Sequence, residues 1–166
     1  MLSRLFILLI VSNSWFVDSS AQTINENKPS NASLLQGKGT LSFKINGKLY
    51  RSDSSQTKCW TSPNVPLAIL WGKGLSINIS WQIQNYNGKG AYRLDNDSKG
   101  KINFTLEGKT YWVRKTDGSN YLDIVITGIK DNYSVKLLSG TFEGVLEDGD
   151  GNKVRITQGV FVTNGI

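Results

Sequence analysis

The chain has 166 residues, 39% of them hydrophobic, with 17 glycines, 3 prolines, 1 cysteine and no histidine. That length suits one domain with a core of its own. The absent histidine excludes Ser-His-Asp and Cys-His catalysis and histidine-based zinc sites, and one cysteine excludes an internal disulfide and cysteine-rich metal sites. Net charge is +6 and uneven: Lys38 to Lys115 holds 13 basic and 4 acidic residues, and Thr116 to the end holds 4 and 7. A basic surface attracts phosphates, acidic polymers or anionic lipid, although lysines scattered over solvent faces also serve solubility and protect sheet edges.

Residues 1–21 read as a secretory signal. Arg4 supplies the positive start, Leu5 to Val11 is an unbroken apolar run, and Ser19-Ser20-Ala21 places small residues where signal peptidase cuts. Cleavage after Ala21 would start the mature chain at Gln22. The apolar run is too short to span a bilayer. The competing reading is an uncleaved anchor, because Trp15-Phe16-Val17 prolongs the apolar stretch. No cysteine lies near the cleavage point, so a lipid anchor is not expected. Residues 22–39 are polar and read as a flexible lead-in; residues 40–166 form the folded body.

The body reads as strands and turns throughout. Thr40 to Ile45 and Lys48 to Asp53 flank Asn46-Gly47, the pair best suited to a type I′ hairpin. Ser54 to Pro66 reads as a loop holding Cys59, Trp60 and two prolines. Leu67 to Trp71 is apolar, and Lys73-Gly74 turns the chain. Leu75, Ile77, Ile79, Trp81 and Ile83 then alternate with polar residues, which means a strand with one buried and one wet face. After a turn over Asn85 to Gly90 come a short strand, Ala91 to Leu94, and a polar loop, Asp95 to Gly100. A second hairpin pairs Lys101 to Leu106 with Lys109 to Lys115 around Glu107-Gly108. Asp117-Gly118 leads into Tyr121 to Ile129, and Val135 to Leu138, Thr141 to Glu147 and Lys153 to Val162 complete the chain. No segment sustains helical periodicity. About ten short strands predict an all-β fold, a single antiparallel β-sandwich, with a closed calycin-like barrel as the alternative.

Three stretches carry a family resemblance: Phe43-Lys44-Ile45-Asn46-Gly47-Lys48, Gly90-Ala91-Tyr92-Arg93-Leu94, and Leu138 to Gly144 with Val154 to Phe161. From Thr40 onward the chain resembles small exported or lipid-anchored β-sandwich proteins of unknown function from Bacteroidetes-type bacteria. The resemblance implies a fold and a location outside the cytoplasm. It implies no site residues.

The candidate sites rest on residue chemistry. Trp60, Trp112 and Tyr111 are candidates for an exposed aromatic platform, since sugar rings stack on such faces. Tyr111 and Trp112 are adjacent on one strand and must point to opposite sides. The competing reading puts all the tryptophans in the core. Asp148, Asp150 and Asn152 have the first spacing of a calcium loop, but Lys153 stands where a glycine belongs and no glutamate closes the loop, so a solvated hairpin turn competes. Asp95, Asp97, Asp123, Glu143 and Glu147 are the carboxylates from which a glycosidase pair could be drawn. Asn-x-Ser/Thr triplets at Asn31, Asn78, Asn96, Asn103 and Asn132 read as chance in an asparagine-rich chain. Cys59 is expected to be buried and inert. The leading functional expectation is an exported, non-enzymatic binding or accessory module of the cell envelope. It would need no cofactor, would take a glycan or an envelope protein and not nucleic acid, and would be periplasmic or secreted. A barrel holding a small apolar ligand and a carboxylate-dependent hydrolase are the alternatives.

Overall fold

The structure is a computed structural model and describes residues 38–61, 64–95, 100–113, 119–132 and 135–164. The proposed signal, most of the lead-in and Asp97 lie outside those residues. The described chain is nearly all β. Its eleven strands are β1 Lys38–Ile45, β2 Lys48–Arg51, β3 Thr57–Thr61, β4 Leu67–Lys73, β5 Ile77–Gln84, β6 Gly90–Leu94, β7 Lys101–Leu106, β8 Lys109–Tyr111, β9 Tyr121–Asn132, β10 Val135–Glu147 and β11 Lys153–Asn164. The only helical turn among these residues is a 3-10 turn at Ser54–Gln56.

The strands form one antiparallel network that does not close. Its register divides it into two layers. The first sheet runs β6-β9-β10-β11-β1-β2, and the second β3-β4-β5-β7-β8. The layers join where the start of β10 pairs with β3, Lys136 opposite Thr61 and Leu137 opposite Trp60. They meet again where Trp112 and Glu147 exchange two backbone hydrogen bonds of 3.0 Å. The sandwich expectation holds. The closed-barrel alternative does not, because the sheet stays open and ring pairs fill the space between the layers.

Those rings come from both sheets. Phe43 on β1 stands edge-on to Phe104 on β7 at 5.6 Å, and Trp81 on β5 stands edge-on to Phe161 on β11 at 5.5 Å. Phe142 ties the pairs together at 5.9 Å from Phe43 and 6.4 Å from Phe161. Each such side chain contributes roughly 1.5–3 kcal/mol by leaving water, and edge-to-face pairing adds about 0.5–1.5. Ile77, Ile79, Trp81 and Ile83 all face this core, as the alternation of β5 requires.

Several expected boundaries shift, each for a physical reason. Ser54 to Pro66 is not one loop. Thr57, Cys59 and Thr61 alternate inward with Lys58 and Trp60 outward, and strand β3 results. Leu75 is fully exposed in the Gly74-Leu75-Ser76 turn, where the Gly74 N–H reaches the Ile77 carbonyl at 2.9 Å, so β5 starts only at Ile77. The expected strands Val135 to Leu138 and Thr141 to Glu147 are one continuous β10. Gly140 is there for close approach and not for a turn: a Cβ on it would stand 2.0 Å from the Val125 carbonyl oxygen. The hairpin turns match expectation. Asn46 and Gly47 both take positive φ, as do Glu107 and Gly108. Cys59 is buried, and burial pushes its thiol pKa well up.

Candidate ligand face

Strand parity decides which side chains can meet a partner. On β3, β4 and β5 the residues facing the core are buried: Cys59, Ala68, Leu70, Ile79 and Trp81. Their neighbours necessarily face out. Register then aligns the outward residues into rows. Leu137, Trp60, Ile69, Gln82 and Lys101 form one row, with Lys130 of β9 at its far end. Lys58, Trp71, Ser80 and Asn103 form the next, and Lys73, Asn78, Thr105 and Thr110 the third. Side chains directly opposite lie about 4.5–5.5 Å apart at Cβ, so each row is continuous. Leu137 is buried and yet belongs to no part of the central core; its strand partner is Trp60. Trp60, Ile69 and Trp71 are each half-buried.

The outer face of the first sheet differs. Arg93 donates to both oxygens of Asp123 at 2.7 Å and lies over the Tyr121 ring at 4.5 Å. Asp123, through its hydrogen bonds and charge, raises the Arg93 pKa further. Asp123 stands directly opposite Glu143 across the β9–β10 ladder. Both line a shallow groove of about 240 Å³ with Val125, Thr141, Gln158 and Val160. Gln158 takes a positive φ beside Gly159, where the β10–β11 register slips. The two carboxylates are therefore neighbours, but Arg93 occupies both oxygens of one.

The other candidates separate. Tyr111 is buried, 6.0 Å from Phe104, so it is core and not platform. Trp112 faces the other way and is half-buried at the second junction of the layers, remote in register from Trp60. Trp60 does lie on an outer face, though on a strand and not in a loop. Asp148 is buried: Oδ1 accepts from the Asp150 and Asn152 backbone N–H groups at 2.9 and 2.8 Å, and Oδ2 from Asn152 Nδ2 at 2.9 Å. The Asn152 hydrogen bond, above all, holds its carboxyl below the usual range. This carboxylate staples the β10–β11 turn, while Asp150 and Asn152 are exposed. Among the described residues no group of three acidic or cysteine side chains gathers to hold a metal. Glu147 is buried and accepts from Asn120 Nδ2 at 2.9 Å. Asp95 is half-buried at the end of β6.

A further hollow, about 450 Å³, opens at the end of the sandwich between Thr61, Pro66, Tyr86, Asn87, Ile129 and Lys136. Burial, with Tyr92 and the Cys59 thiol nearby, pushes the Tyr86 phenol up to about 12. Reading the sequence alone left out Trp71, Gln82 and Asn103 as ligand candidates. Their alternation with Leu70, Trp81 and Phe104 was the available signal; the adjacency of their strands was not.

Residues 37–164 match the family described as Domain of unknown function (DUF6252). No curated protein matches the chain. No solved structure matches it either.

Proposed function

This chain belongs to the DUF6252 family, and on that premise we propose that it is an exported, non-enzymatic module that binds a glycan of the cell envelope. The observation that carries this is the outer face of the second sheet. Two half-buried tryptophans, Trp60 and Trp71, stand among Ser80, Gln82 and Asn103 on the side of the sheet turned away from the core. Indole faces suit the C–H-bearing faces of sugar rings, and amides and hydroxyls suit sugar hydroxyls. Residues 1–21 support export, and the resemblance to Bacteroidetes-type envelope proteins supports a periplasmic or secreted location. An envelope protein is the second reading for the partner.

Titration of the full chain against a panel of polysaccharides, read by tryptophan fluorescence and calorimetry, tests the proposal. Binding that Trp60→Ala and Trp71→Ala each weaken by about tenfold, roughly 1.4 kcal/mol, is the expected result. A flat response across the panel overturns it, and capture of a protein from an envelope extract would favour the second reading. For export, N-terminal sequencing of the chain expressed in its native host should begin at Gln22; an intact Met1 would overturn cleavage.

A further inference from the structure

We infer that the glycan is acidic, a chain carrying repeated carboxylate or sulfate groups. The inference rests on the proposed glycan reading and adds its charge. The rows of the second sheet carry Lys58, Lys73 and Lys101 on their outer face, with Lys130 closing the row that holds Trp60. No aspartate or glutamate occupies an outward position of β3, β4, β5, β7 or β8. None of the three lysines makes an ion pair among the described residues. The pairs Lys48–Glu107, Arg93–Asp123, Lys136–Asp131 and Lys153–Glu147 each take at least one partner from the first sheet. Cations around an aromatic, amide-rich surface whose strands carry no carboxylate leave a positive potential over that face.

The dimensions suit a linear chain. From Lys130 on β9 to Lys101 on β7 the row crosses β10, β3, β4 and β5, five strand spacings or about 24 Å. Lysines stand at both ends and the apolar residues between, so an extended polymer would meet a cation, then stacking surface, then amides, then a second cation. The first sheet's outer face offers a different surface: Asp123 and Glu143 stand opposite each other there, Arg93 is held by Asp123, and its strands carry no tryptophan.

The test compares polymers that differ only in charge. The full chain is titrated against dextran, dextran sulfate, polygalacturonate and a single-stranded oligonucleotide at two or more salt concentrations. Expected are at least tenfold tighter binding to one of the acidic glycans than to dextran, and affinity falling with rising salt. Lys58→Glu and Lys101→Glu should each weaken acidic-glycan binding by about tenfold or more, while Arg155→Glu on the first sheet, with the same change in net charge, should leave it unaltered. Circular dichroism and melting curves check that each variant is folded. Dextran binding as tight as the acidic chains, and dependent on Trp60, would overturn the acidic inference and leave the glycan reading standing. No binding to any polymer removes both. An equal loss in Arg155→Glu, or equal affinity for the oligonucleotide, would show attraction by net charge alone and overturn the inference. Preference for dextran sulfate or for polygalacturonate identifies the anionic group.

Discussion

On the outer face of the first sheet, Arg93 grips Asp123 at 2.7 Å and Val125 and Val160 stand exposed beside Glu143. On the outer face of the second sheet, Lys58, Lys73 and Lys101 surround Trp60, Ile69 and Trp71, with no carboxylate on the same strands' outward positions. Both faces arise from the same alternation over the same core. The difference shows that core packing constrains only every second residue of a strand. The other half is free to carry either a surface of mixed charge, with carboxylates beside cations, or one whose strands hold lysines and tryptophans without a carboxylate.

The largest expected effect abolishes the comparison altogether. Phe43→Ala removes a fully buried ring that touches Tyr50 and Phe142 in its own sheet and Phe104 in the other. It should cost about 3–5 kcal/mol in urea unfolding. Tryptophan fluorescence, which reports mainly on the second sheet, and far-ultraviolet dichroism should still report one shared transition. Two separate transitions would mean that the faces belong to independent units.

Gly144→Ala acts on the first sheet alone. A Cβ there would meet the Tyr121 carbonyl oxygen at 2.2 Å, a backbone atom that cannot swing aside, so a loss of about 1–3 kcal/mol is expected. Glycan binding per folded molecule should not change. A binding loss in the folded fraction would tie the two faces together.

Trp71→Ala should cost about 1 kcal/mol of stability, since the ring is only half-buried, and weaken glycan binding far more than Val160→Ser. Val160→Ser should stay within about 0.5 kcal/mol of the parent protein. Equal binding in the two variants would erase the distinction between the faces.

Smaller still is the effect of Asp148→Asn, and its sign depends on pH. The Asp148 pKa lies below its ordinary 3.8 in the folded protein, so the ionised group adds stability above that value and loses it as pH falls through the folded pKa. The variant should melt below the parent at pH 7, and the gap should close at more acid pH. A gap that widens on acidification would contradict the turn-staple role. Arg93→Ala should have the slightest effect on melting, because its ion pair with Asp123 is well exposed, and added salt should shrink even that.

Much of the architecture was legible because it depends on local rules. Asn46-Gly47 announces a turn that needs two positive φ angles, and the run from Ile77 to Gln84 announces a half-buried strand. The adjacency of Tyr111 and Trp112 predicts opposite faces, and Tyr111 is indeed buried while Trp112 is less so. The break expected between Leu138 and Thr141 does not occur, because Gly140 lets the Val125 carbonyl approach β10 closely, and a glycine's role in such an approach depends on a neighbour distant in sequence. Trp60 misled because two nearby prolines marked a loop, whereas strand β3 runs from Thr57 to Thr61.

The sequence by itself determined the all-β class, most of the turns, the parity of the clearly alternating strand β5 and the exclusion of histidine chemistry. These follow from backbone geometry and side-chain inventory, which act within a few residues. Only the tertiary structure decided that Trp60, Ile69, Gln82 and Lys101 share one row and that Asp123 faces Glu143. Strand order and register are set by how rings such as Phe43, Phe104, Trp81 and Phe161 fill the shared interior, and that packing joins residues far apart in the chain.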